Sequence, residues 1–591
     1  MPDHGVKAHR PIWRPLVVGC IVISSLWVIV AGPLLRAGAD DVRMLAAFIT
    51  DEVMHVNMLH QALAERTMRL IFQSYGHLYF NIALAPLQAL RLAGLEPSEL
   101  GILFWLRSIA FVFALATILV VFIWASIDIG IVAAIVATLV MITSKPLLLW
   151  ATISHPDTAQ MLFLTLALYW CARLHSKFSD RSLAAASAAA GLAFASKYGG
   201  IFVLPVIAWA AASDRLVMSP GAARQLAHRL RISVIVAGVA AIVIASAVTP
   251  AQGVALLSED GRADVPGTTA TLTLARDVVF GAAIACVVAG LAGPLWQRLA
   301  RSTRLMHWIR SMVVATAAFT IAFVCASPYS LRKLAFLKGL YFEGNRLAGP
   351  PMSTAIGQWL QTFNEALGPI LLAIPLGVAL AWGERNRSRR SLAAVLLAFF
   401  AIYVAVLLTR VRVPADQYLL PVIPVCALVA GYVAQWVVDR VPFRRAVAAG
   451  IVILFAVAAV PSYVNAREQL LHRDRTAGAT IAGRWLSCAV RPDARVVYDY
   501  LSYVPPSFAD AHPTWGGTPA WRDSLKPDVI VVATPIATIN AGVSPNQEYY
   551  ACLEGGSCGF DRLFANADVR IYVKRADAAA LATGAACADQ R

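Results

Sequence analysis

Charge is scarce in this chain. Of 591 residues only 34 are Asp or Glu, and 14% are charged in all, while 59% are hydrophobic. With a mean hydropathy of +0.66, apolar stretches long enough to cross a bilayer recur from end to end, which excludes an ordinary soluble domain. A contiguous basic domain is also missing, despite a formal net charge of +16. The cations fall in short breaks between apolar runs: Arg173 to Arg181, Arg224 to Arg231, Arg298 to Arg310 and Arg385 to Arg390. Placed this way they mark cytoplasmic loops and offer no track for nucleic acid. No Gly-rich phosphate loop stands in a strand–helix context, so no nucleotide cofactor is indicated. A divalent metal is compatible with the acids but not indicated, because no third or fourth ligand joins any acid–His pair at a metal-binding spacing. There is no convincing internal repeat.

What is present describes an all-α polytopic membrane protein. Lys7, Arg10 and Arg14 precede an apolar run ending near Val30, and Ala31-Gly32-Pro33 is a poor cleavage site, so an uncleaved first helix with a cytoplasmic start is expected. Candidate spans are 14–31, 78–94, 103–124, 130–150, 156–172, 182–212 (one long or two short pieces), 232–249, 273–293, 309–327, 365–382, 391–408, 418–436 and 443–460. They correspond to about 12–14 membrane helices. Placing 384–390 and 439–445 inside puts 328–364, 409–417 and the chain beyond 461 outside. The same alternation puts His155-Pro156-Asp157 and a turn at Lys197 outside. Carried back to the N-terminus it conflicts in parity with an external Asp51. Either 78–94, interrupted by Pro86, does not fully cross, or 182–212 is misassigned.

Two domains are expected: 1–460 in the membrane, including a first external loop at 32–77, and an extracytoplasmic α/β domain at 461–591. The second carries β-like runs at 494–498, 528–532 and 569–573, and a helix from Thr476 to Leu486. Cys20, Cys171, Cys286, Cys325 and Cys426 accompany apolar helices and read as small buried hydrophobes. Cys488, Cys552, Cys558 and Cys587 lie in the tail, an even number facing an oxidising space. Cys552 and Cys558 are close enough to close a small loop, although sequence leaves the pairing open.

The costly charges gather on the outer side. Asp51-Glu52 opens a polar segment with His55, His60, Tyr75 and His77. On a helix Glu52 and His55 share a face. Asp51 after Thr50 equally suits the first turn of a surface helix. His155-Pro156-Asp157 opens a span, where an acid must face water, a partner or the bundle interior, or else simply meets the helix dipole. Lys197-Tyr198 interrupts a small apolar run with a charge that needs a counter-ion or snorkels. Tyr329, Arg332, Lys333 and Arg346 bring hydroxyl and basic groups to the outer side against the usual inside bias, while Arg410, Arg412 and Asp416 lie at the same depth and suit either that role or ordinary surface solvation. Cations kept there suit a lipid-linked phosphate. Carboxylates for proton removal and cations for a phosphate together suit group transfer from a lipid-phosphate donor.

The order of these pieces resembles the bacterial members of the dolichyl-phosphate-mannose mannosyltransferase superfamily. These are GT-C type, polyprenyl-phosphate-sugar-dependent transferases that include the aminoarabinose transferases of lipid A. The matching pieces are Asp51-Glu52, Tyr75-Gly76-His77-Leu78-Tyr79, His155-Pro156-Asp157 and Gly191 to Tyr198. Further along come Ser327-Pro328-Tyr329, Tyr418-Leu419-Leu420-Pro421, and Thr476 through Tyr498 in the tail. The resemblance implies a GT-C fold and an inverting sugar transfer to a lipid, glycan or protein acceptor. It makes Asp51 the general base, Glu52 an assisting or organising acid and Asp157 a second carboxylate. It assigns Lys197, Tyr198, Arg332, Lys333 and Arg346 to the donor phosphate, and His55, Tyr75, His77, His155 and Tyr329 to the substrate pocket. A monomer in a bacterial inner membrane, with the active site and tail periplasmic, goes with it. Gln417 stands where relatives commonly carry Arg, and Gly76-His77 replaces a double proline. A transporter or flippase of lipid-linked glycans, or a glycan polymerase or ligase, is the alternative. The first should show mid-membrane charges and a repeat, the second large external loops with paired arginines.

Overall fold

A computed structural model describes residues 13–38, 41–70, 75–213, 219–247, 277, 283–289, 291–330, 352–411, 414–540 and 544–576. The chain enters on α1 (Trp13–Ala31), and two short helices follow, α2 (Val42–Phe48) and α3 (Thr50–Ala64). Next come α4 (Leu78–Leu92), α5 (Glu99–Asp128), α6 (Ile131–Ile142), α7 (Lys145–Ala151), α8 (Asp157–Ser176) and α9 (Asp180–Ser196). A 3-10 turn (Tyr198–Val203) leads to α10 (Leu204–Ala212), α11 (Pro220–Ala247), α12 (Gly293–Arg301) and α13 (Thr303–Ala326). The later helices Met352–Leu367, Ala373–Trp382, Arg387–Arg410, Ile423–Arg440 and Arg444–Leu471 complete the bundle.

Among the described residues, eight helices are long and apolar enough to cross a membrane, or nine if α6 and α7, bent by 64°, form one span. The shortfall against about 12–14 has physical causes. Helix α4 has 15 residues with Pro86 inside, about 22 Å by helical rise against a hydrocarbon core of about 30 Å. Helix α9 has 17 residues, and α8 dilutes its 20 with Asp157, Thr158, Gln160 and Arg173. About half of expected span 273–293 falls outside the described residues. Segment 182–212 is a helical pair broken at Lys197, whose extended backbone ends α9. Both suspects in the parity conflict are therefore interrupted elements. Much of α9 is buried against its neighbours, where such breaks are tolerated.

Small residues set the packing. Helix α9 is alanine-rich and lies so close to α13 that a Cβ on Gly191 would collide with the Phe319 carbonyl. Close backbone approach through small residues is how helices associate where lipid removes the hydrophobic drive. Cys171 and Cys426 are buried as expected. In contrast, Cys286 and Cys325 are exposed, because helices in lipid can turn small apolar groups outward at no cost.

Beyond the helix Gly478–Ala489, a five-stranded sheet forms from β1 (Val496–Asp499), β2 (Ala511–Thr514), β3 (Val529–Ala533), β4 (Phe560–Ala565) and β5 (Val569–Lys574). Its order is β2-β1-β3-β5-β4. The β1 pairings are parallel, whereas β5 runs antiparallel to both neighbours. Val496, Tyr498, Val529 and Val531 face Trp485 and Leu486, while Ile530, Val532 and Tyr572 face Tyr549 and Leu553, so the period-2 alternation fills two cores. Each such fully buried side chain contributes roughly 1.5–3 kcal/mol. The expected strands at 494–498, 528–532 and 569–573 correspond to β1, β3 and β5. Strand β2 escaped the pattern because it is polar at His512 and holds Pro513, which a sheet admits at an edge such as this one. Cys552 and Cys558 form a disulfide with Cα atoms 5.5 Å apart. Cys488 is also disulfide-bonded, and Cys587 lies outside the described residues.

This tail is seated on the first loop. Asp41 N-caps α2 through the Arg43 amide and accepts from the Tyr503 hydroxyl at 2.8 Å. The Arg43 guanidinium donates to the carbonyls of Pro505 (3.1 Å) and Phe508 (2.7 Å). Ala47 is buried in the same core as Trp485.

Candidate active site

Helix α3 begins one residue after α2, and the junction, Ile49, is extended. The turn sets Asp51 and Glu52 in the first turn of α3, where the helix dipole favours acids. From there the two neighbours diverge.

Glu52 is fully buried. It receives Arg107 from α5 in a fork, Nε to Oε1 at 2.8 Å and Nη2 to Oε2 at 2.6 Å, and the Ser154 amide at 2.7 Å. Arg107 also donates to the carbonyls of Leu35 (2.9 Å) and Ala37 (3.0 Å). His55, on the same face of α3, meets Ser154 as well, Nδ1 lying 2.9 Å from its carbonyl. Burial pushes the His55 pKa down to about 4, against the pull of Asp51, so its ring is neutral at pH 7.

Asp51 stands at the end of an alternating row of charges. Lys197 Nζ lies 2.9 and 3.1 Å from the Asp157 oxygens. Asp157 meets His155 Nδ1, and His155 Nε2 lies 3.1 Å from Asp51 Oδ2. The Tyr75 hydroxyl donates to the same Oδ2 at 3.0 Å. Burial lowers the His155 pKa, but Asp157 and Asp51 outweigh it and raise it. For Asp51 burial works upward, and the His155 hydrogen bond and charge overcome it, holding the carboxyl well below the usual carboxylate range. Side chains of His155 and Asp157 are at most 1% exposed and Lys197 8%, whereas Asp51 is 26% exposed. The row is most open to solvent at Asp51, and among the described residues its Oδ1 carries no hydrogen bond.

Aromatic rings wall the row. His155 packs against Trp150 (4.9 Å) and Tyr75 (5.1 Å), and Lys197 Nζ lies 5.2 Å from the rings of both Tyr75 and Tyr418. The Tyr198 hydroxyl donates to the Tyr75 carbonyl at 3.3 Å. Gly76 has no room for a Cβ against the Ala195 carbonyl, which explains a glycine beside a buried His77. The His77 amide donates to Ser327 Oγ at 2.9 Å, while Tyr329 is exposed. The fold thus joins Asp51, Tyr75, His155, Asp157, Lys197 and Tyr198, and sets Glu52 and His55 beside them through Ser154. Arg332, Lys333 and Arg346 lie outside the described residues.

Arg107 and Ser154 are absent from the sequence-based set. Arg107 did leave a signal, an arginine inside an apolar span that must find an acid. Ser154 acts mainly through its backbone and left none. Among the described residues no group of three or more His, Cys, Asp or Glu could hold a metal ion.

A family model described as dolichyl-phosphate-mannose-protein mannosyltransferase matches residues 103–249, a minority of the chain. Comparison with curated proteins gives no match. The chain is similar in layout to the ArnT of Cupriavidus metallidurans bound to undecaprenyl phosphate, at 13% identity and TM-score 0.43, covering 95% of this chain and 97% of that one. It is also similar to the apo oligosaccharyltransferase of Archaeoglobus fulgidus, at 11% identity and TM-score 0.47, covering 96% and 75%. Likenesses of this order assign no role to any residue. The family match agrees with the superfamily-level resemblance carried by the sequence motifs.

Proposed function

We propose that the protein is a membrane glycosyltransferase that moves a sugar from a polyprenyl-phosphate carrier to an extracytoplasmic acceptor. The observation that carries this reading is Asp51, an ionised acid at the solvent end of an otherwise buried row of charges. An acceptor hydroxyl would give its proton to Asp51 Oδ1 while its oxygen attacks the anomeric carbon. The carbon–oxygen bond to the phosphate breaks on the opposite face, so the configuration inverts and polyprenyl phosphate leaves. A resting pKa this low makes a weak base. A donor phosphate nearby adds negative charge and moves the carboxyl back toward basicity. Glu52, locked on Arg107, organises the site and takes no proton. Asp157 acts on Asp51 through His155. Lys197, with Tyr198 behind it, supports the donor phosphate by sharing its charge between Asp157 and the phosphate, and Arg332, Lys333 and Arg346 complete that role. His55, His77 and Tyr329 shape the pocket around Tyr75 and His155.

The setting is a bacterial cytoplasmic membrane, with the site and tail on the periplasmic side and the chain working as a monomer. In proteoliposomes supplied with a polyprenyl-phosphate sugar, the wild type should add one sugar mass to an envelope acceptor and Asp51→Asn should not. An active Asp51→Asn protein would remove the assigned base. Movement of the donor across the membrane without transfer would favour a flippase.

A further inference from the structure

Helix α13 links the site to a second cavity. Its C-terminal end leads into Ser327, bonded to His77, whereas its first turn lies 24 residues back, about 36 Å away by helical rise. There Ser302, Arg304, Leu305, His307 and Trp308, together with the end of α10, line a cavity of about 360 Å³.

Four observations converge on it. Segments 219–231 and 293–310 contain seven arginines, two histidines and no acid. They pack together through Ala223, Ala227, Ala300 and Met306, so their cations share one end of the bundle. Of these, Arg310 is answered by Asp180. The start of α13 carries no side-chain cap, so its first amides lack helical acceptors and the dipole adds positive charge. His307 lines the cavity, is only 8% exposed, and among the described residues its Nε2 has no hydrogen-bond partner, a polar atom left unsatisfied beside the cavity. Finally, Leu305 and Trp308 beside the cavity are 38% and 45% exposed. At the base of membrane helices, an aqueous anion has no use for such a lip, whereas acyl chains do.

We propose that this cavity binds the phosphate of an anionic membrane phospholipid. Arg304, Ser302 and His307 would hold the headgroup, with the acyl chains lying along Leu305 and Trp308. The assignment is independent of the chemistry at Asp51.

The test titrates purified full-length protein with short-chain phosphatidylglycerol or phosphatidylcholine, read by native mass spectrometry. Phosphatidylglycerol should bind roughly tenfold more tightly, and Arg304→Gln should remove most of that preference, while Arg229→Gln, the same charge loss on α11, should change it less than about twofold. Arg304 is exposed, so the variant should keep the wild-type unfolding temperature. Ser302→Asp, a carboxylate at the same helix start, is the second variant and should expel the lipid equally. Equal losses from Arg304→Gln and Arg229→Gln would mean diffuse charge attraction and overturn the site. Displacement by millimolar inorganic phosphate, with Trp308→Ala leaving affinity unchanged, would mean a free-anion site and overturn the lipid assignment. The proposal also fails if the wild type shows no preference between the two lipids.

Discussion

Asp51, at the mouth of the membrane bundle, and Asp499, in the C-terminal sheet, are the same residue with opposite fates. Asp51 has the His155 ring against it and is held ionised. Asp499, at the end of β1, is 2% exposed, and its side-chain partners among the described residues are neutral, the Tyr550 hydroxyl and the Ala533 amide, each at 3.2 Å. Burial pushes its carboxyl up to about 7, against those two hydrogen bonds. Burial alone therefore does not decide whether an acid in this molecule is charged. A cationic partner does, and only the outer site supplies one.

The comparison can be broken at both ends. The largest effect is expected from Asp51→Asn, a loss of about 10²–10⁴ in transfer rate with an unchanged unfolding temperature. Asp499→Asn measured beside it should leave transfer intact. Next comes the neighbouring pair. Glu52→Gln strands the Arg107 guanidinium in a buried site and should cost about 3–5 kcal/mol, read as a lowered unfolding temperature in detergent. Replacing Arg107 by Met in that variant should recover part of the loss. His155→Gln should come third, since it removes the cation that keeps Asp51 ionised. Activity that depends on a depressed carboxyl is lost as pH falls through its pKa, so the acid limb of the pH–rate profile should move up by about one unit or more. A limb that stays put would mean His155 does not set the protonation of Asp51.

The smallest effect is at Asp499. Its folded pKa of about 7 stands above the ordinary 3.8. The stability contributed by the protonated form is therefore complete below 3.8 and lost as pH rises through about 7. Asp499→Asn should flatten unfolding temperature against pH across that window, and an unchanged slope would show that Asp499 ionises freely.

Much of the site was legible because charge is rare in this chain. Asp157 and Lys197 each sit in otherwise apolar surroundings, where a charge advertises a partner, and the two prove to be each other's. The i, i+3 spacing put Glu52 and His55 on one face, and both meet Ser154. What the spacing hides is division of labour. Asp51 and Glu52 are adjacent and chemically alike, and only the three-dimensional position of Arg107, 55 residues on, separates an acid facing solvent from one locked in the interior. The membrane helices blurred for a different reason. Hydropathy recognises long apolar runs, but α4 and α9 are short and lean on other helices, so composition alone cannot distinguish a full crossing from a partial one.

Arg107 has an implication for how the protein is made. Its partners Leu35, Ala37 and Glu52 precede it in the chain, while Ser154, which shares Glu52 with it, comes later. Chains emerge N-terminus first, so its carbonyl acceptors and counter-ion are already synthesised when α5 reaches the bilayer. The arginine can be neutralised on arrival rather than held charged in lipid while a later segment is awaited.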